Sequence, residues 1–119
     1  MQGQIFYVAA CSENPDGGIY CYRMNGRQAP EQIAFAPLPM ANYIAFSPDR
    51  KYLYSTCTVG KDGGVASFSI QPDGSLALLG TMPANGLSTC YVITDPTGNY
   101  LYAANYRGGN FAEFKLEEG

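Results

Sequence analysis

The chain repeats itself, and that repeat constrains its fold more than any other feature. Ile44-Ala45-Phe46-Ser47-Pro48-Asp49-Arg50-Lys51-Tyr52-Leu53-Tyr54-Ser55 returns 48 positions later as Val92-Ile93-Thr94-Asp95-Pro96-Thr97-Gly98-Asn99-Tyr100-Leu101-Tyr102-Ala103. A second segment occurs three times at an offset of 46: Gly18–Met24, Gly64–Ile70 and Asn110–Leu116. Phe6-Tyr7, Leu53-Tyr54 and Leu101-Tyr102 form a third series. Within each copy apolar residues alternate, as in Tyr20, Tyr22, Met24 or Ala66, Phe68, Ile70, and a period of two means half-buried strands. Pro48-Asp49-Arg50-Lys51, Pro96-Thr97-Gly98-Asn99 and Pro72-Asp73-Gly74 read as tight turns between strands. The pairs Gly17-Gly18, Gly63-Gly64 and Gly108-Gly109 precede the next strand, where a positive φ is expected. No segment carries a helical period.

One repeat is therefore four short antiparallel strands, here a to d, and repeats of this length and content read as propeller blades. The order predicted is b (Ile5 to Ala10), c (Gly18 to Met24) and d (near Ile33 to Ala36). Next come a (Tyr43 to Ser47), b (Tyr52 to Cys57), c (Val65 to Ile70) and d (Leu76 to Met82). The last three are a (Tyr91 to Thr94), b (Tyr100 to Asn105) and c (Phe111 to Leu116). The fold class expected is all-β, an incomplete β-propeller of about two and a half four-stranded antiparallel blades. Blade 1 covers roughly 1–42, blade 2 roughly 43–90, and the start of blade 3 roughly 91–119. Closed propellers have four or more blades, so the 119 residues are expected to be the N-terminal piece of a longer ring. A closing strand from a distant C-terminus would then supply the first blade's missing strand a. The alternative is that copies self-associate through the open, apolar blade faces.

Composition narrows the chemistry. Hydrophobic residues are 46% and charged residues 14%, the balance of a globular chain. There is no His, which excludes His-based triads, imidazole acid–base steps and His metal ligands. The net charge of −3 and seven scattered Lys and Arg give no nucleic-acid footprint. No apolar run approaches a membrane span and no export signal is visible, so no membrane partner and a cytoplasmic location are expected. Cys11, Cys21, Cys57 and Cys90 show no Cys-x-x-Cys spacing and read as reduced, mostly buried packing residues. No metal and no cofactor are expected. The glycine pairs are not phosphate loops, since no Gly-Lys-Ser/Thr opens a helix.

The stretch from Thr89 to Gly109, with Cys90, the turn Asp95-Pro96-Thr97-Gly98, Tyr100-Leu101 and Ala104-Asn105-Tyr106, resembles the 6-phosphogluconolactonase propeller family. Gly17-Gly18-Ile19-Tyr20, Ser47-Pro48-Asp49 and Gly63-Gly64-Val65-Ala66-Ser67-Phe68 extend the resemblance over nearly the whole chain. The family typically shows Pro-Cys-His where this chain has Thr89-Cys90-Tyr91, and many members have Asn-Glu where it has Cys57-Thr58. The resemblance implies a seven-bladed ring of about 330 residues at ~47 per blade, hydrolysing a small sugar-phosphate lactone, 6-phosphoglucono-δ-lactone, without a metal. Some relatives are carboxymuconate cycloisomerases. It also implies that charged Arg, His and Glu site residues lie largely in later blades, so that this portion alone is inactive.

Antiparallel strands a and b bring the start of a and the end of b to one end of a blade. Cys90-Tyr91 is thus expected near Asn105-Tyr106-Arg107, and Asn42-Tyr43 near Cys57-Thr58. That end is the candidate ligand face. Arg107 would serve as the cation for a phosphate, or is a solvated loop charge. Asn105 would orient substrate, or closes the loop as an Asx turn. Tyr91 would hydrogen-bond a ligand, or packs near the axis. Cys90 has no base to activate it and reads as packing, and Tyr106 completes the substrate-binding set. No catalytic residue stands out. A non-enzymatic binding or assembly propeller is the other reading, since fold does not fix function.

Overall fold

The computed structural model describes residues 3–119. It contains ten strands: β1 (Gln4–Ala10), β2 (Gly18–Met24), β3 (Glu31–Pro37), β4 (Ile44–Phe46), β5 (Tyr52–Val59), β6 (Asp62–Ile70), β7 (Leu76–Pro83), β8 (Thr89–Thr94), β9 (Tyr100–Asn105) and β10 (Asn110–Lys115). They form three antiparallel sheets in the orders β1-β2-β3, β4-β5-β6-β7 and β8-β9-β10. The middle sheet has four strands and its neighbours three each. This is a partial β-propeller.

Side-chain alternation makes β5 and β6 the centre of the molecule. Leu53 pairs with Phe68, Ser55 with Ala66 and Cys57 with Gly64. Leu53, Cys57, Ala66 and Phe68 face the first sheet and pack with Ile19, Ala36, Leu38 and Ala41. The residues between them, Tyr54 and Val65, face the other way and pack with Val92, Leu101 and Ala103. β5 is buried on both faces, so Leu53 to Cys57 are all inside; the small hydroxyls among them are satisfied locally, Ser55 Oγ donating to the Thr56 carbonyl and Thr56 Oγ1 accepting from the Tyr43 N–H. A carbonyl tie joins the first two sheets: the Tyr7 hydroxyl (2.7 Å) and the Cys21 thiol (3.3 Å) both donate to the Gly74 carbonyl.

The repeated turns are built alike with their chemistry exchanged. Positions 48 apart pair Ser47 with Asp95 and Asp49 with Thr97, so hydroxyl and carboxylate trade places. The Tyr52 N–H donates to Ser47 Oγ and the Tyr100 N–H to Asp95 Oδ1, each at 3.0 Å. Asp49 accepts from Ser47 and Asp95 accepts from Thr97. Equivalence therefore holds by position in the turn and not between the two aspartates. Gly98 occupies a left-handed φ of 78° where Arg50 adopts 60°. The Arg50 guanidinium lies 4.7 Å from the Phe46 ring centroid, so a cation–π contact offsets part of that strain.

Two local expectations are corrected. Gly63 and Gly64 lie inside β6 without a positive φ; they are glycines because other atoms come close. A Cβ on Gly63 would stand 2.2 Å from Thr89 Oγ1, and one on Gly64 2.4 Å from Val59. Of the cysteines only Cys21 and Cys57 are buried; Cys11 is exposed and Cys90 intermediate, and all four are free thiols.

Candidate functional site

Two kinds of connection reach the same end of the sheets. One is the b–c hairpin turn: residues 60–61 between β5 and β6, and Tyr106–Gly109 between β9 and β10. The other is the loop from one blade's outer strand to the next blade's inner strand, around Met40 and around Ser88. Together with Cys11 and Glu13 of the connection between β1 and β2 they line an open cavity of about 490 Å³. Asn42, Cys57, Thr58, Lys61, Thr89, Cys90, Tyr106 and Arg107 are among its lining residues.

The loop backbone repeats as the strands do. Met40 and Ser88 are 48 positions apart and both take a left-handed φ of 57°. Non-glycine residues adopt this conformation at a cost, here in two successive blades. Cross-links fix both loops: the Thr58 N–H donates to the Pro39 carbonyl (3.1 Å), the Met40 N–H to Ser12 (3.0 Å), and the Tyr106 N–H to Ser88 (2.9 Å). Thr56 Oγ1 accepts from the Tyr43 N–H at 3.0 Å and holds the start of strand a, so ladder pairing begins only at Ile44.

The candidate residues from the sequence take distinct places. Cys90, Tyr106 and Arg107 line the cavity, and Tyr106 is 79% exposed. Asn105 is buried beneath it. Its amide accepts from Thr89 Oγ1 (2.6 Å) and donates to the Ala84 carbonyl (2.9 Å) and to Asn110 Oδ1 (3.3 Å). Those bonds clamp the loop to strand b. Tyr91 does not line this cavity; its ring packs at 4.6 Å against Tyr43, its counterpart 48 residues earlier. Desolvation, then the neighbouring Tyr91, pushes the Tyr43 phenol up. Cys57 lies deep, and burial pushes its thiol from the ordinary 9.0 to about 11, keeping it protonated and a poor nucleophile near neutrality.

Glu13, Lys61, Asp62, Met40 and Ser88 were not evident as site residues from the sequence. A signal for Lys61 was nevertheless present: it precedes Arg107 by 46 positions, the offset that relates Gly64–Ile70 to Asn110–Leu116. Among the described residues no His, Cys, Asp and Glu group is arranged to hold a metal ion, and no helix is long and apolar enough to cross a membrane.

Comparison with known proteins places this geometry. The profile described as "Lactonase, 7-bladed beta-propeller" matches residues 5–119. A 6-phosphogluconolactonase of Serratia proteamaculans is 32% identical over 106 residues, covering 88% of this chain and 30% of that protein. An uncharacterized protein of Staphylococcus epidermidis is 26% identical over 94% of the chain and 33% of its own length. A crystal structure from Bacteroides uniformis superposes with a TM-score of 0.79 at 27% identity, over 96% of this chain and 33% of that one. One from Lactobacillus plantarum gives 0.79 at 25% identity, over 99% and 34%. The chain thus spans about a third of the length of the relatives it matches.

Proposed function

The chain belongs to the lactonase family of seven-bladed β-propellers, and from that membership we propose that it forms part of the substrate face of an enzyme hydrolysing a sugar-phosphate lactone of the 6-phosphoglucono-δ-lactone type. The observation that carries the reading is the loop-lined cavity holding Arg107, Tyr106 and Cys90 in a chain resembling a 6-phosphogluconolactonase. Lactone opening needs water activated by a base, donors for the oxyanion on the carbonyl, and a site for the phosphate. Arg107 supplies the cation. Tyr106 and Cys90 line the cavity with it, and Tyr91 stands on β8, the adjoining inner strand. Asn105 acts through the loop it clamps. The base and the oxyanion donors come from blades beyond this chain, which is inactive alone. The reaction belongs to cytoplasmic sugar-phosphate metabolism and uses no metal or cofactor. Nucleic acid and membrane take no part.

The test is hydrolysis of the phosphorylated lactone and of glucono-δ-lactone, each corrected for spontaneous opening, by a longer protein in which these blades are completed to a ring. Catalysis that favours the phosphorylated lactone supports the assignment; a folded ring with no rate above background refutes it. The outer faces carry apolar side chains including Phe35, Ile93 and the 72% exposed Phe111. We propose that these faces receive either further blades or a second copy.

A further inference from the structure

Arg107 is not the one cation at the cavity. Lys61 lines it as well, from the hairpin between β5 and β6, while Arg107 projects from the hairpin between β9 and β10. The two are 46 positions apart and occupy the same connection in successive blades. Only seven Lys and Arg exist in the chain, and Arg50, by contrast, is engaged over Phe46. The hydroxyl-bearing Thr58 and Ser88 also line the cavity. So do two carboxylates, Asp62 beside Lys61 in the sequence and Glu13 from the first blade.

We infer that Lys61 and Arg107 act as a pair that grips one phosphomonoester group, with Lys61 the specificity-determining residue for phosphorylated over unphosphorylated sugar acids. This rests on the sugar-phosphate reading above. A guanidinium offers a planar fork to two phosphate oxygens, and an ammonium adds a compact charge to a third. A phosphomonoester near neutrality carries close to two negative charges, so two cations match it where one leaves it half compensated. Asp62 and Glu13 oppose the anion and set its affinity below what the cations alone would give.

The test is titration of the 119-residue chain with 6-phosphogluconate and with gluconate, followed by nuclear magnetic resonance. Saturable binding of 6-phosphogluconate is expected, with gluconate at least about tenfold weaker. Lys61→Ala and Arg107→Ala should each weaken the phosphorylated ligand by roughly tenfold, the scale of one charge-assisted contact. Lys61→Arg should retain binding, and Asp62→Asn should tighten it. Both cations sit on hairpin tips outside the core, and an unchanged melting temperature checks that the variants fold. No saturable binding, equal binding of the two acids, or an unchanged affinity in Lys61→Ala each overturns the inference. In the completed ring the two proposals separate. Phosphate binding that follows the cations without lactone hydrolysis defeats the reaction and leaves the pair standing. Hydrolysis with an unchanged KM in Lys61→Ala defeats the pair and leaves the reaction standing.

Discussion

Replacing Asn105 with alanine separates a structural amide from a substrate-orienting one. The side chain is buried and joins three segments: it accepts from Thr89 Oγ1 at 2.6 Å and donates to Ala84 O at 2.9 Å and Asn110 Oδ1 at 3.3 Å. The alanine variant leaves a buried hydroxyl and a buried carbonyl without these partners. Each such loss costs about 1–3 kcal/mol, and the longer bond to Asn110 adds little. The expected destabilisation is therefore about 2–6 kcal/mol, a large part of the ~5–15 kcal/mol that holds a domain together. Repacking offers limited relief, because Gly86 and Gly108 owe their lack of a side chain to this cluster. A Cβ on Gly86 would stand 2.5 Å from Asn105 Nδ2, and one on Gly108 2.4 Å from Asn110 Oδ1. Urea unfolding followed by far-ultraviolet circular dichroism suits a chain with no Trp. With m at ~2 kcal/mol/M, the midpoint should fall by about 1–3 M. Asn105→Asp keeps the acceptor for Thr89 but turns an oxygen toward the Ala84 carbonyl, and should be no milder at neutral pH. Thr89→Val combined with Asn105→Ala should show coupling above about 0.5 kcal/mol. A loss below about 0.5 kcal/mol in Asn105→Ala would refute the clamp and return the amide to the ligand.

Other consequences follow from the turns, the thiols and the buried phenols. Gly98→Ala places a Cβ at a φ of 78°, 3.3 Å from Pro48 Cδ, and should cost about 1–2 kcal/mol by thermal or urea melts. Arg50→Gly should change stability by less than about 1 kcal/mol, since relief of φ is offset by loss of the Phe46 contact and by glycine's entropy. Thiol titration of the native chain should label Cys11 and Cys90 quickly, and Cys21 and Cys57 only on unfolding; fast labelling of all four would contradict the packing between sheets. Burial pushes the Tyr7 and Tyr54 phenols up to about 12 from 10.0. Their folded values exceed the unfolded ones, so their stabilising effect is complete below pH 10 and disappears as pH rises toward 12. Cys57 acts alike between 9.0 and about 11. Spectrophotometric titration should find Tyr7 and Tyr54 among the late-ionising tyrosines, with Tyr43 and Tyr102 also raised, and stability should fall across the alkaline range these groups span and not before it.

Strand positions were legible because alternation and repetition agree: a residue such as Phe68 is apolar both by period and by its counterparts Tyr22 and Phe114. Ends were less so. β6 starts at Asp62, earlier than Val65, because Thr58 pairs with Gly63 and Val59 with Asp62 across a two-residue turn. The bulges at Cys21/Tyr22, Ser67/Phe68 and Thr89/Tyr91 leave no residue signature, since they answer to sheet twist. At the candidate site, strand polarity is enough to bring Cys90 to the same cavity as Tyr106 and Arg107, whereas the engagement of Asn105 depends on Thr89 and on Ala84 from the β7–β8 connection. Lys61 carries a signal in the hairpins rather than the strands, where the 46-residue offset aligns it with Arg107.

The most direct test of the account compares lactone hydrolysis by the 119-residue chain with hydrolysis by the ring that completes its blades, on 6-phosphoglucono-δ-lactone at matched concentration. The account predicts the spontaneous rate for the chain and catalysis for the ring. Full catalysis by the chain alone, or none by a folded ring, would contradict it.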